Sequence, residues 1–188
     1  MRRSAPESLK GQAETLVAAA SAAASWFRRP APSALSAART ARLRASGWRE
    51  TAVLAHKSLR GHAKTDAADL SFALREAVEH STSAVSEAVR YGVEPDAGLL
   101  ETAEAVWEAA KSLAAAAAAR GRARADALIA SKRWALEAER LRRLVRADAQ
   151  EEPSLARALK RETVAVRLSS AAEAVQEACD ALAGGLVE

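Results

Sequence analysis

The stretch LARALKRETVAVRLSSAAEAVQEACDALAGGLV, residues 155–187, reads as one long helix and decides the fold. Val164, Leu168, Ala171, Val175, Ala178 and Leu182 recur every three or four residues, the spacing that gathers side chains onto one helical face. A stripe of that kind has to be covered by other elements. Beside it runs a second row, Val166, Ser169/Ser170, Glu173, Glu177 and Asp180, which is acidic toward its C-terminal half. Pro153 and Ser154 supply a start signal and Gly184-Gly185 a stop, because Pro suits the first turn of a helix and Gly its exit.

The same spacing, followed toward the N-terminus, predicts five more helices. The first runs from about Pro6 to Phe27 on Leu9, Ala13, Leu16, Ala20, Ala23 and Phe27, and the second from Pro32 to about His62, weakened at Gly47 so that a kink is expected near Ser46. The third begins near Thr65/Asp66 and ends at Tyr91-Gly92, with Leu70, Leu74, Val78, Ser81 and Val85 inward. Pro95 opens the fourth, which carries Leu99, Ala103, Val106/Trp107, Ala110 and Leu113 to about Gly121. The fifth spans about Arg124 to Asp148, with Ala127, Ala130, Trp134, Ala138, Leu141 and Val145 as its core row. Six helices with short connections make an all-α, elongated helical bundle. We expect one domain over 1–188, with halves at about 6–92 and 95–187, and the last helix lying along the fourth and fifth.

Composition agrees. Alanine abounds, while the chain has only two Phe, one Tyr and one Met, which favours helix over strand. The single Cys, Cys179, excludes a disulfide framework and points to a reducing, cytoplasmic setting. With no His near it in sequence, Cys179 is expected to be a packing residue. No apolar run approaches the ~20 residues that a membrane span needs, and Glu7, Lys10 and Glu14 interrupt the N-terminal apolar region in a way that argues against a leader.

Charge alternates in sign along the chain: residues 1–64 carry a net +9, 65–119 a net −7, 120–146 a net +6 and 147–188 a net −4. The sequence pI of about 9.6 and the arginine rows Arg39, Arg42, Arg49 and Arg133, Arg140, Arg143 raise the question of nucleic acid. Against it, the overall excess is only +4, and an acidic helix follows each basic one. Pairing between packed helices accounts for most of the pattern. Arg39, Arg42 and Arg49 remain the candidate partner-binding face, toward an acidic protein surface or, peripherally, an anionic membrane. Carboxylate or His pairs one turn apart, the unit of a metal site in a bundle, occur at Glu76/His80, Glu104/Glu108 and Glu173/Glu177, and are also ordinary on a solvated acidic face. Glycine-rich phosphate loops, nucleophile elbows and Cys pairs are all missing, so no catalytic residue and no cofactor site is expected.

Two segments carry a family resemblance. TDAADLSFALREAVEHSTSAVSEAVRYGVEPDAGLLETAEAVWEAAKSLAAA (65–116) and LEAERLRRLVRADAQEEPSLARALKRETVAVRLSSAAEAVQEACDALAGGLV (136–187) resemble the PhoU-like family, in its shorter branch of accessory proteins that accompany low-affinity inorganic phosphate transporters. Together they cover more than half of the chain. The resemblance implies two three-helix units in one bundle and a non-enzymatic regulatory role, with a phosphate transporter or a cytoplasmic regulatory protein as partner and self-association left open. It also implies metal clusters held by carboxylates four residues apart. The matching positions here are Leu43/Gly47, Val78/Thr82, Ala135/Glu139 and Ser169/Glu173. Only Glu139 and Glu173 survive of those sets, so they are the candidate metal ligands, as vestiges of a cluster that this chain is expected to lack. A metal-binding bundle for storage or catalysis, and a helical adaptor unrelated to phosphate, stand as the alternatives.

Overall fold

Six α-helices and no strand make up the described residues of the structure, a computed structural model whose backbone is described over 5–56 and 62–184 and whose side chains are described over 9–47 and 67–184. They are α1 (Ala5–Arg28), α2 (Pro32–His56), α3 (His62–Tyr91), α4 (Ala97–Ala118), α5 (Gly121–Gln150) and α6 (Leu155–Gly184). Local chemistry sets most of the boundaries. Asp96 caps α4, its Oδ1 accepting the Leu99 N–H at 2.9 Å, and Ser154 Oγ accepts the Arg157 N–H at the start of α6. The turns at Gly92 (φ +62°) and Gly121 (φ +54°) use the left-handed region that side chains avoid. α2 passes through Gly47 without the expected break, since a glycine facing open space costs the helix only its propensity.

The packing follows from which faces are apolar. α1, α2 and α3 pack on one another, as do α4, α5 and α6. Across the middle, α1 lies on α4 and α3 on α6. The helices α1, α3, α6 and α4 therefore form a ring of neighbours, with α2 laid over α1 and α3 and α5 laid over α4 and α6.

Two buried clusters fill this ring. One holds Leu16, Leu70, Leu74, Leu113, Val175 and Leu182, and the other Phe27, Val85, Leu99, Val145, Val164 and Leu168. Trp107 packs against both. The seams between helices are alanine: Ala109, Ala110, Ala135, Ala138, Ala171 and Ala172 are fully buried, and small side chains there let backbones approach closely. Gly98 marks the tightest approach, because a Cβ on it would stand 2.8 Å from Val145 Cγ2.

Two expectations change. The chief neighbour of α6 is α3, with α5 and α4 after it. Beside the Val164–Leu182 stripe, α6 buries a second row of Ala165, Ala172 and Cys179, so it sits among three helices rather than two. On α5 the core row is Ser131, Ala135, Ala138, Leu141 and Val145. Trp134, expected inside, is 43% exposed, and Ala135 occupies the seam, where an indole is too large for the close approach. Among the described residues, no helix is long and apolar enough to cross a membrane.

Candidate functional site

Ion pairs between helices take up much of the alternating charge. Arg28 of α1 holds Glu104 of α4, Arg42 of α2 holds Glu79 of α3, and Arg167 of α6 holds Glu87 of α3 at 2.9 Å. α5 and α6 are tied twice, by Lys132 to Asp180 and by Arg142 to Glu162. Basic α2 thus meets acidic α3, and basic α5 meets the acidic side of α6. Several of these side chains are half exposed, where a pair contributes at most about 1 kcal/mol. Their main effect is to fix which helix lies beside which.

Arg39, Arg42 and Arg49 fare differently from one another. Arg39 is exposed and makes no ion pair among the described residues, with Arg44 exposed beside it and Leu43 73% exposed between them. Arg42 is engaged by Glu79. The side chain of Arg49 lies outside the described residues, as do those of His56 and His62.

Glu139 and Glu173 do not form a metal site together with their sequence partners. Glu139 is half buried and accepts a hydrogen bond from Gln176 Nε2, while its partner position Ala135 is an apolar seam residue. Glu173 is exposed and unpaired among the described residues, and its partner Ser169 is buried. Val78 and Thr82 are buried, and Thr82 Oγ1 donates to the Val78 carbonyl. A hard cation needs several oxygens on one point. Among the described residues, no three His, Cys, Asp or Glu side chains converge in that way. The three spaced pairs are also accounted for: His80 Nε2 stands 3.8 Å from Glu76, Glu104 is held by Arg28, and Glu108 accepts from Lys111 Nζ at 2.6 Å. Glu177, like Glu173, is exposed.

A groove of about 510 Å³ runs between α4 and α5, lined chiefly by Glu101, Glu104, Trp107, Trp134, Glu137 and Arg140. The Lys111 ammonium lies 4.5 Å over the Trp107 ring, and Arg140 grips Glu137 through two hydrogen bonds of 2.8 and 2.6 Å. That grip holds the Glu137 carboxyl below its usual range and raises Arg140. The chain's own cations therefore hold Glu104, Glu108 and Glu137, three of the four carboxylates that line the groove. The groove presents indoles and a fourth glutamate, Glu101, whose charge acts on Arg140, rather than a nucleophile with its base.

Cys179 is buried, and burial pushes its thiol up, with the Ser131 hydroxyl beside it acting the other way. Ser131 Oγ also donates to the Ala109 carbonyl at 2.8 Å, so this point is a junction of α4, α5 and α6.

Periodicity alone missed one surface, the outward face of α5 and α6. Ile129, Leu136 and Leu144 of α5 and Leu155, Leu159 and Val166 of α6 are all exposed. Ile129 and Leu136 stand seven residues apart, off the core row, a spacing that could have revealed it. Compared with models of known protein families and with curated proteins, the chain has no match.

Proposed function

We propose that this protein is a non-enzymatic accessory or regulatory protein of inorganic phosphate transport, PhoU-like in architecture, which acts by docking onto a transporter or its cytoplasmic regulatory partner at the inner face of the membrane. The observation that carries the reading is the packing scheme. α1–α3 and α4–α6 each pack among themselves, and α1 on α4 and α3 on α6 join them, which agrees with the two three-helix units that the resemblance of residues 65–116 and 136–187 implies. The docking face is the outer side of α2, where Arg39, Leu43 and Arg44 are exposed and the two arginines have no ion pair among the described residues. Exposed cations of this kind steer a partner of opposite charge and act within about 8–10 Å at physiological ionic strength. The reading needs no metal cluster and no catalytic step.

The test is co-purification of a phosphate transporter, or of its cytoplasmic regulator, with the wild-type chain and with an Arg39→Glu/Arg44→Glu variant, at low and at raised salt. Recovery is expected to fall with salt and with the charge reversal. Equal recovery with both chains removes this face from the mechanism. Phosphate uptake that is unchanged on deletion of the gene removes the function.

A further inference from the structure

We propose that the outward face of α5 and α6 is a self-pairing surface, whose partner is a second copy of this chain related by a two-fold axis along the helices. Of the ten large apolar side chains that are exposed among the described residues, seven belong to α5 and α6. Six of these, Ile129, Leu136, Leu144, Leu155, Leu159 and Val166, lie off both core rows. A face this apolar on one helix pair marks an interaction site.

The charges identify the occupant. On the α5 side, Arg133 is exposed and makes no ion pair among the described residues, and on the α6 side the same holds for Glu173 and Glu177. A lipid surface of one sign would attract one column and repel the other. A second copy satisfies both. Lys132 with Asp180 and Arg142 with Glu162 fix the antiparallel register, so that residues near 132 stand level with those near 180, and residues near 142 with those near 162. A two-fold axis parallel to the helices keeps each level and exchanges the columns, laying α5 of one copy on α6 of the other. Arg133 then comes level with Glu177 of the partner subunit and Leu144 with Leu159 of the partner subunit, while Leu136 and Val166 of the partner subunit lie about two turns apart along the seam.

The size is also right. Two helices of 30 residues present a face about 45 Å long and about 20 Å wide, on the order of 900 Å² a side, against the ~800 Å² per partner of a standard interface. This surface is separate from the α2 face and does not depend on the phosphate-transport reading.

Sedimentation velocity of the full chain over a concentration series tests it. Wild type is expected to form a dimer at micromolar concentrations. Leu136→Asp/Val166→Asp, both at exposed positions, is expected to yield a monomer with unchanged helical circular dichroism and melting temperature. Arg133→Glu and Glu177→Arg, each alone, are expected to raise the dissociation constant about tenfold, since each reversal sets like charges together at two symmetric points. The two reversals combined are expected to restore the dimer. A wild-type chain that stays monomeric, a dimer indifferent to Leu136→Asp/Val166→Asp, or a combined reversal no tighter than either single one overturns the proposal. So does a monomeric chain that floats with phosphatidylglycerol vesicles, which assigns the face to lipid.

Discussion

Arg161 of α6 donates its Nε–H to Asp96 Oδ2 at 2.7 Å, while the other oxygen of that carboxylate caps α4 through the Leu99 N–H. The same guanidinium reaches the Val145 carbonyl at 3.4 Å and Asp148 at 3.6 Å, near the end of α5. Burial is the largest single influence on Arg161 and works against its charge, but the hydrogen bonds and charges of Asp96 and Asp148 together outweigh it and raise its pKa. One aspartate and one arginine therefore join three helices at the end of the bundle. Replacing Asp96 by Ala removes a cap and a charged hydrogen bond together, an expected loss of about 1–3 kcal/mol. In a denaturant double-mutant cycle, Asp96→Ala and Arg161→Ala should be non-additive, the second change costing less once the first is made.

Gly98 faces Val145 with no room for a methyl group. Val145 is fully buried, so it cannot swing aside, and Gly98→Ala should cost about 1–3 kcal/mol through overpacking despite the better helix propensity of alanine. Gly47→Ala, in open space within α2, should stabilise by about 0.5–1 kcal/mol. Urea titrations of the two variants should move in opposite directions.

Leu168 is wholly buried in the cluster that also holds Phe27, Val85 and Leu99. Leu168→Ala should cost about 2–5 kcal/mol. Leu159→Ala, one face away and exposed, should leave the stability of the monomer within about 0.5 kcal/mol. An equal effect of both on the unfolding midpoint would show that the two faces of α6 are assigned wrongly.

Elemental analysis of protein purified without chelator should find less than one iron, zinc or manganese ion per chain, because Glu139 is engaged by Gln176 and Glu173 has no convergent partner among the described residues. Glu139→Ala/Glu173→Ala should leave metal content unchanged. Two or more tightly held ions, lost in that variant, would restore the metal-binding alternative.

The Cys179 thiol should react with a disulfide reagent only as fast as the bundle opens, since it is buried at the junction of α4, α5 and α6. Its folded pKa is raised above the unfolded value by burial. The neutral thiol is therefore the form that folding favours, so its contribution is full below the ordinary thiol pKa and is lost as pH rises through the folded value. Between about pH 8 and 10 the denaturation midpoint of wild type should fall further than that of Cys179→Ala.

How much of this was legible depended on what periodicity can encode. The Val164, Leu168, Val175 and Leu182 row stood out because large apolar side chains recur at helical spacing, and all four are buried. The neighbour of α6 did not stand out, because a stripe says which face is covered and not by what. Alanine made this worse: Ala165 and Ala172 are buried as deeply as Leu168, yet in a chain this rich in alanine they carry no signal. Trp134 misled for a related reason, since hydrophobicity ranks it for the core while volume keeps it out of an alanine seam. Among the candidate site residues, the three arginines looked equivalent in sequence. Only the fold brings Glu79, 37 positions along the chain, onto Arg42 and leaves Arg39 without an ion pair among the described residues. The surroundings of Glu139 were not legible either, since only the fold sets Gln176, 37 positions along the chain, against it.

The cross-contacts of α1 with α4 and of α3 with α6 also bear on how the chain is made. When α3 leaves the ribosome, α1, α2 and α3 can pack on one another, but the sides of α1 and α3 that α4 and α6 cover in the finished bundle stay open until those helices follow. The residues still to be added run from 92 to 184, roughly 5–20 s of translation at about 5–20 residues per second. During that interval the nascent three-helix half keeps one apolar side uncovered, a natural client for a holding chaperone.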